Sequence, residues 1–393
     1  MQNKKLTLLS SLFAAALGLA VTAGSGHAAG QQGIAGKVVT IGGDVILSGS
    51  SLAMQANSAV QIYFDMINRE GGVNGYTFKY IPRDNALQPA QGVAVARQLA
   101  KSDKVFAMFV IGSAVVQALM PQAPQLQTPM LTMADSSLLS PVVPNVFGVN
   151  VRYDRLPLFE AQYAIKKLGR KKIAYVYEDT AIGHPALKTL PAFVAANGAR
   201  LVATLPFPVD ATDWAPYAAR VKDAGADAVV FFGSGASQLP GMQKAADAIG
   251  YHPKYVAIYA NLIPAYLKLA GPLAEGTYID SQSIPVDSAS PNAKLFRDEL
   301  TKAGQASAIG AFAGQGWTGA AIIVEGVRRA TANGAALTWA SFDAALETIH
   351  DVPLGMFPSI TYTKQDHTGA TKAAMFEVQN GKFVEVQPLT DIP

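Results

Sequence analysis

Ser113 and Ser136 are the residues whose placement first suggests chemistry. Each sits in a turn of small residues, Gly112-Ser113-Ala114 and Ala134-Asp135-Ser136-Ser137. Each turn follows an apolar run, Val105–Ile111 and Met130–Met133. The pattern predicts strand, turn, short helix, strand and turn over 110–140, with both turns at the carboxyl ends of strands. A hydroxyl beside the free N–H groups of a helix start suits a bound carboxylate, because those donors and the positive end of the helix dipole coincide. One serine at such a place is adequately explained as an N-cap. Two such turns, one element apart, favour a site.

Other chemistries lack their residues. His184, His252, His350 and His367 stand apart without metal-ligand spacing, so they read as surface or turn histidines and no metal is expected. Gly233-Ser234-Gly235 has Gln238 where the dinucleotide fingerprint needs its third glycine. No G-x-S-x-G elbow and no Walker A sequence occurs. Asp84 reads as a turn or cap residue. Glu178 and Asp179 are adjacent and point different ways, a poor fit to a two-carboxylate hydrolase. The sequence therefore predicts no cofactor and no catalysis.

The elements around these turns repeat. Apolar strand patterns alternate with helical ones along most of the chain, which means parallel sheets covered on both faces. The strands are too many for one compact sheet. The predicted fold is α/β, with two doubly wound parallel-sheet lobes joined by a three-strand hinge. The crossings fall around Gly148–Asp154, Asp280–Pro285 and Pro353–Ile360. The lobes then comprise 37–152 plus 283–355 and 153–282 plus 356–393. Two lobes on a hinge imply closure on a ligand. Ligands in such sheets bind beyond the carboxyl ends of strands. That places Ser51, Met54, Ser113 and Ser136 on one jaw, with Thr180, Ile182, Ser234, Tyr259 and Asn261 on the other.

Lys4 and Lys5, the apolar run Leu6–Val21 and the ending Gly26-His27-Ala28 read as a secretory signal peptide cleaved after Ala28. Residues 29–36 read as a linker. The chain has no cysteine, so neither a lipid anchor nor disulfides are expected. Net charge is +3 over 393 residues, and Lys4 and Lys5 leave with the signal. A nearly neutral product with no basic stripe argues against nucleic acid or an anionic membrane as partner. No second long apolar run would hold it in a membrane. The expected product is an exported monomer.

The segment Ile67-Asn68-Arg69-Glu70-Gly71-Gly72-Val73-Asn74-Gly75 resembles one that follows the first helix of type I periplasmic solute-binding proteins. Gly112-Ser113 through Gln117 and Pro129-Met130-Leu131-Thr132 are similar to further segments of that family's leucine/isoleucine/valine-binding branch. The resemblance runs from about Val38 to Val386. It implies capture of a small carboxylate ligand in the periplasm and delivery to the membrane permease and ATPase subunits of an ABC importer. It implies that Ser113 meets the ligand carboxylate, that Ala134 contributes backbone, that Ser136 contributes a hydroxyl, and that Phe312, ahead of Trp317, walls the pocket.

Two departures bear on the ligand. Amino-acid binders of the family commonly carry an acid near 259 to meet the α-ammonium, and Ile258-Tyr259-Ala260-Asn261 has none. Ile182 stands where a Tyr commonly precedes Gly183. Asp135, Glu178 and Asp179 remain open as substitute partners. The departures favour an aromatic or otherwise apolar organic acid, with Met54, Ile182, Tyr259 and Phe312 around its body. The alternatives are a branched-chain or other amino acid as ligand, or a receptor that reports to a signalling partner.

Overall fold

The computed structural model describes residues 31–49 and 51–393, with side chains in the first helix from Met54 onward. The expected signal peptide and the side chain of Ser51 lie outside the described residues. The chain starts on one sheet with β1 (Ile34–Ala35), β2 (Val38–Val45), β3 (Thr77–Asp84), β4 (Ala107–Ile111), β5 (Met130–Met133) and β6 (Val146–Gly148). Strands β3-β2-β4-β5-β6 are parallel in that order. The expected linker instead ends in structure. β1 pairs antiparallel with β2, and the Gln32 amide donates to the Ala100 and Val105 carbonyls at 3.0 and 3.1 Å.

The second sheet holds β7 (Lys172–Glu178), β8 (Arg200–Phe207), β9 (Ala228–Phe232), β10 (Lys254–Ala257) and β11 (Tyr278–Ser281). These are parallel in the order β8-β7-β9-β10-β11, the same order as in the first sheet. β4 and β9 are buried at every residue, which is why both read as unbroken apolar runs. A small sheet follows, β12 (Val352–Leu354), β13 (Phe357–Thr363) and β14 (Asp366–Gly369). The chain then adds β15 (Lys372–Gln379), antiparallel to β11, and β16 (Lys382–Asp391), antiparallel to β15.

Helices α1 (Ser51–Arg69), α2 (Pro89–Lys101), α3 (Ser113–Leu119) and α4 (Ala123–Leu126) connect the first sheet. The second carries α5 (Leu156–Lys166), α6 (Leu190–Ala196), α7 (Ala215–Asp223), α8 (Gln238–Ala248) and α9 (Pro264–Ala270). Between β7 and β8 the chain forms a 3₁₀ turn at Pro185–Lys188 before α6, since Pro191 can open a helix but not continue one. α10 (Pro291–Lys302), α11 (Ala311–Ala330) and α12 (Trp339–Leu346) return to the first lobe. There Trp317 meets Tyr63 edge-on at 4.7 Å, and Phe342 meets Phe106 at 5.4 Å. α1 and α11 touch backbone to backbone: a Cβ on Gly316 would lie 2.1 Å from the Ala56 carbonyl oxygen.

The first crossing runs through Val149–Asp154 and the second through Ser281–Ile284. The two are tied where Val151 N–H donates to Gln282 Oε1 at 2.7 Å. The third lies at Ala370–Thr371, not around Pro353–Ile360. β13 and β14 belong with the first lobe, because the Tyr362 hydroxyl donates to the Gly148 carbonyl at 2.6 Å. His367 is buried there, stacked on Phe147 at 4.0 Å with Nδ1 2.9 Å from the Val146 carbonyl, so it is a core residue and not a surface one. Gly369, at φ +93°, lets this crossing pass the Gly148 carbonyl, which a Cβ would approach to 2.2 Å.

Candidate ligand-binding cleft

In a sheet of this strand order the crevice opens where the order reverses, beyond the first strand and its third-strand neighbour. That point lies between β2 and β4 in one lobe, and between β7 and β9 in the other. A cavity of about 480 Å³ occupies the space between them, within the usual range for a small-molecule site. Ile46, Ile111, Gly112 and Ser113 line it from the first pair, and Glu178, Thr180, Ser234 and Gly235 from the second. Met133 ends β5 and Ala134 follows it, Ile258 and Tyr259 follow β10, and Phe312 and Gln315 enter from α11.

Of the residues singled out in the sequence, seven meet here: Ser113, Ala134, Thr180, Ile182, Ser234, Tyr259 and Phe312. Three do not. Ser136 is buried beneath the cleft, and its hydroxyl donates to the Asn150 carbonyl at 2.5 Å, fastening the first crossing. Asn261 is buried with its amide donating to the Gly233 and Ile258 carbonyls at 3.3 and 3.2 Å, so it holds a turn. Met54 is half-buried on α1 and stays outside the cavity lining. The turns singled out by linear spacing border this cavity, but not every side chain in them points into it.

Ser113 caps no helix through its side chain. Its Oγ accepts the Asp135 N–H at 3.0 Å, and its own proton has no acceptor among the described residues. The three acids left open as ammonium partners separate cleanly. Asp135 is buried, and its carboxylate accepts the Ser137 and Tyr153 N–H groups at 2.8 and 2.7 Å, with the Ser137 hydroxyl on its second oxygen. Burial pushes its pKa up, opposed by those bonds. Asp179 is exposed and pairs with His184 at 2.6 Å. Glu178 alone lines the cavity. Its Oε2 accepts the Ser234 N–H and hydroxyl at 3.2 and 2.8 Å, and its Oε1 the Thr180 hydroxyl at 3.2 Å. Among the described residues, no lysine, arginine or histidine lines the cavity.

Sequence reasoning missed Asn150, Tyr153 and Gln315. Tyr153 follows the first crossing and packs edge-on against Phe232 at 5.7 Å. Its hydroxyl lies 2.5 Å from that of Tyr259. Burial pushes the Tyr259 hydroxyl up to about 12, so both tyrosines are protonated at neutral pH. Below Tyr259, its N–H donates to Asp280 Oδ1 at 2.9 Å. Burial raises Asp280 to about 7 and also raises its neighbour Glu160. Gln315 did carry a signal: it lies three residues after Phe312 and so shares its helix face.

The model of one family, described as periplasmic binding protein, matches residues 38–382. The chain belongs to the periplasmic binding protein family. Leu/Ile/Val-binding protein homolog 3 of Brucella melitensis is 28% identical over 236 residues, 58% of this chain and 60% of the relative. The match thus spans about three fifths of that curated relative. Among solved structures, a branched chain amino acid ABC transporter protein of Thermus thermophilus with bound valine has a TM-score of 0.82 at 20% identity, covering 92% of this chain and 97% of the other. A solute binding protein of an ABC transporter from Rhodopseudomonas palustris BisB5, in complex with 3,4-dihydroxy benzoic acid, has a TM-score of 0.76 at 22% identity, covering 91% and 98%. These likenesses establish for this periplasmic binding protein the two-lobed type I fold that the sequence predicted.

Proposed function

We propose that the protein captures a small organic acid in the periplasm and hands it to the permease and ATPase subunits of an ABC importer. The observation that carries this reading is a mostly apolar cavity at the switch points of both sheets, holding a serine hydroxyl and, among the described residues, no cationic side chain. The ligand carboxylate sits at Ser113 and the backbone beside Ala134, held by neutral donors. Ile182, Phe312 and Tyr259 surround its apolar body. Valine and dihydroxybenzoic acid, bound by structural neighbours, share only the carboxylate and an apolar part, which supports a carboxylate as the common requirement. The protein acts as a monomer and by binding alone: ligand shifts the population toward the closed form, and that form is what the permease recognises. We place the lobe boundaries at the crossings near 150, 282 and 370.

A second reading, a branched-chain or other amino acid, is favoured by Glu178, whose carboxylate faces the cavity and is placed to meet an ammonium. Calorimetry on the wild type and Glu178→Gln separates the two. If the ligand is an organic acid, aromatic acids bind the wild type and bind the variant at least as tightly, because one like charge has gone. If leucine, isoleucine or valine binds and loses affinity at least about tenfold in the variant, the amino-acid reading replaces ours.

A further inference from the structure

The cleft holds a second polar cluster that the carboxylate leaves unused. Gln315 is 1% exposed, and its Oε1 has no hydrogen-bond partner. Gln315 lies in the cavity wall together with Tyr259. Tyr259 and Tyr153 bring two hydroxyl protons, and the 2.5 Å bond between them uses one. Asn150 Nδ2 approaches Tyr153 Oη at 3.5 Å, and it adds a donor, not an acceptor. One O–H is therefore left without an acceptor among the described residues, beside one amide oxygen without a donor. All of these residues line the same cavity. Buried polar groups are seldom left unpaired in native structures, and a cavity that faces two of opposite kind is matched to what it binds.

We propose that Tyr153, Tyr259 and Gln315 form a second polar subsite that takes a hydroxyl group of the ligand, so that the preferred acids carry a hydroxyl on their apolar body. This rests on the carboxylate reading of the cleft. A hydroxyl is the smallest group that donates to Gln315 Oε1 while accepting the spare tyrosine proton. An ammonium cannot accept, an ether cannot donate, and a bare ring or alkyl chain does neither. The subsite also spans the lobes: Gln315 comes from α11 of the first, whereas Tyr153 and Tyr259 pack on the second. A hydroxyl bonded to both sides draws the jaws together, and an acid lacking it does not.

The test is calorimetry of the mature protein with benzoate, 3-hydroxybenzoate, 4-hydroxybenzoate, 3-phenylpropanoate and 3-(4-hydroxyphenyl)propanoate. The proteins are the wild type, Gln315→Met, and the double variant Tyr153→Phe/Tyr259→Phe, each checked for folding by circular dichroism. At least one hydroxylated acid is expected to bind the wild type about tenfold or more tighter than its parent acid. That ratio is expected to fall to within about threefold in every variant that folds. Parent acids that bind as well as their hydroxylated forms would overturn the subsite and leave the carboxylate reading standing. A hydroxyl preference that survives in the variants would place its recognition elsewhere and also overturn it. Failure of all five acids to bind would remove the carboxylate reading and the subsite with it.

Discussion

Ser113 does two things with one hydroxyl. Its oxygen accepts the buried Asp135 N–H, and its proton, without an acceptor among the described residues, is the one proposed to meet a ligand. Ser113→Ala therefore loses both. Carboxylate affinity is expected to fall by roughly 1–3 kcal/mol in calorimetry, and the unliganded protein to lose about 1–3 kcal/mol in denaturant, because a buried N–H is orphaned. A loss of stability with unchanged affinity would make Ser113 purely structural. Asp44 gives a different signature. It is fully buried at the end of β2, with Oδ1 accepting the Asn85 amide at 2.9 Å and Oδ2 without a partner. Burial pushes its pKa up to about 7. The unfolded chain releases that proton near about 3.9. Between those values the native state binds the extra proton, so this group makes stability fall as pH rises from about 4 to about 7, with no further effect above. Its share is up to roughly 4 kcal/mol. Denaturation of Asp44→Asn across that range should show a flatter profile than the wild type; an identical slope would contradict the assignment.

The elements show which parts of this were legible in the chain. β4 and β9 are buried on both faces and so announce themselves as apolar runs. The turns that follow them had to face the cleft, because the strand order puts their carboxyl ends there. Inside a turn the argument weakens. Ser113 faces the cavity while Ser136 ties down a crossing, and no spacing distinguishes two serines that both follow a strand. β13 shows a similar limit: its residues are buried at several positions, but its sequence does not say against which sheet, and the Tyr362 hydroxyl in fact reaches the Gly148 carbonyl at the end of β6. Gln315 was legible through its helix face, whereas Tyr153 depended on how the first crossing turns. Helix packing adds a prediction of its own. α1 and α11 approach so closely at Gly316 that a methyl group there meets the Ala56 carbonyl oxygen at 2.1 Å. Gly316→Ala should lower stability by about 1–3 kcal/mol or more, read from the denaturation midpoint. A neutral result would mean that the two helices separate without cost.

At the level of the molecule, three crossings join two repeated sheets with a cavity between them, and the proposed closure on a ligand rests on that arrangement. The crossings are pinned to one another by Gln282 and to the first lobe by Ser136 and Tyr362. The cavity wall is mostly apolar, and among the described residues its donors are neutral and its one acid is already held by Ser234 and Thr180. Those features together favour an uncrowded carboxylate with an apolar body over a zwitterion. A thermal-shift screen of the mature chain against aromatic acids and against leucine, isoleucine and valine tests this most directly. A ligand at 100 times its dissociation constant stabilises the folded state by about 2.7 kcal/mol, a readily measured rise in melting temperature. The account predicts that rise with aromatic acids and little change with the three amino acids; a rise with leucine, isoleucine or valine and none with the acids would contradict it.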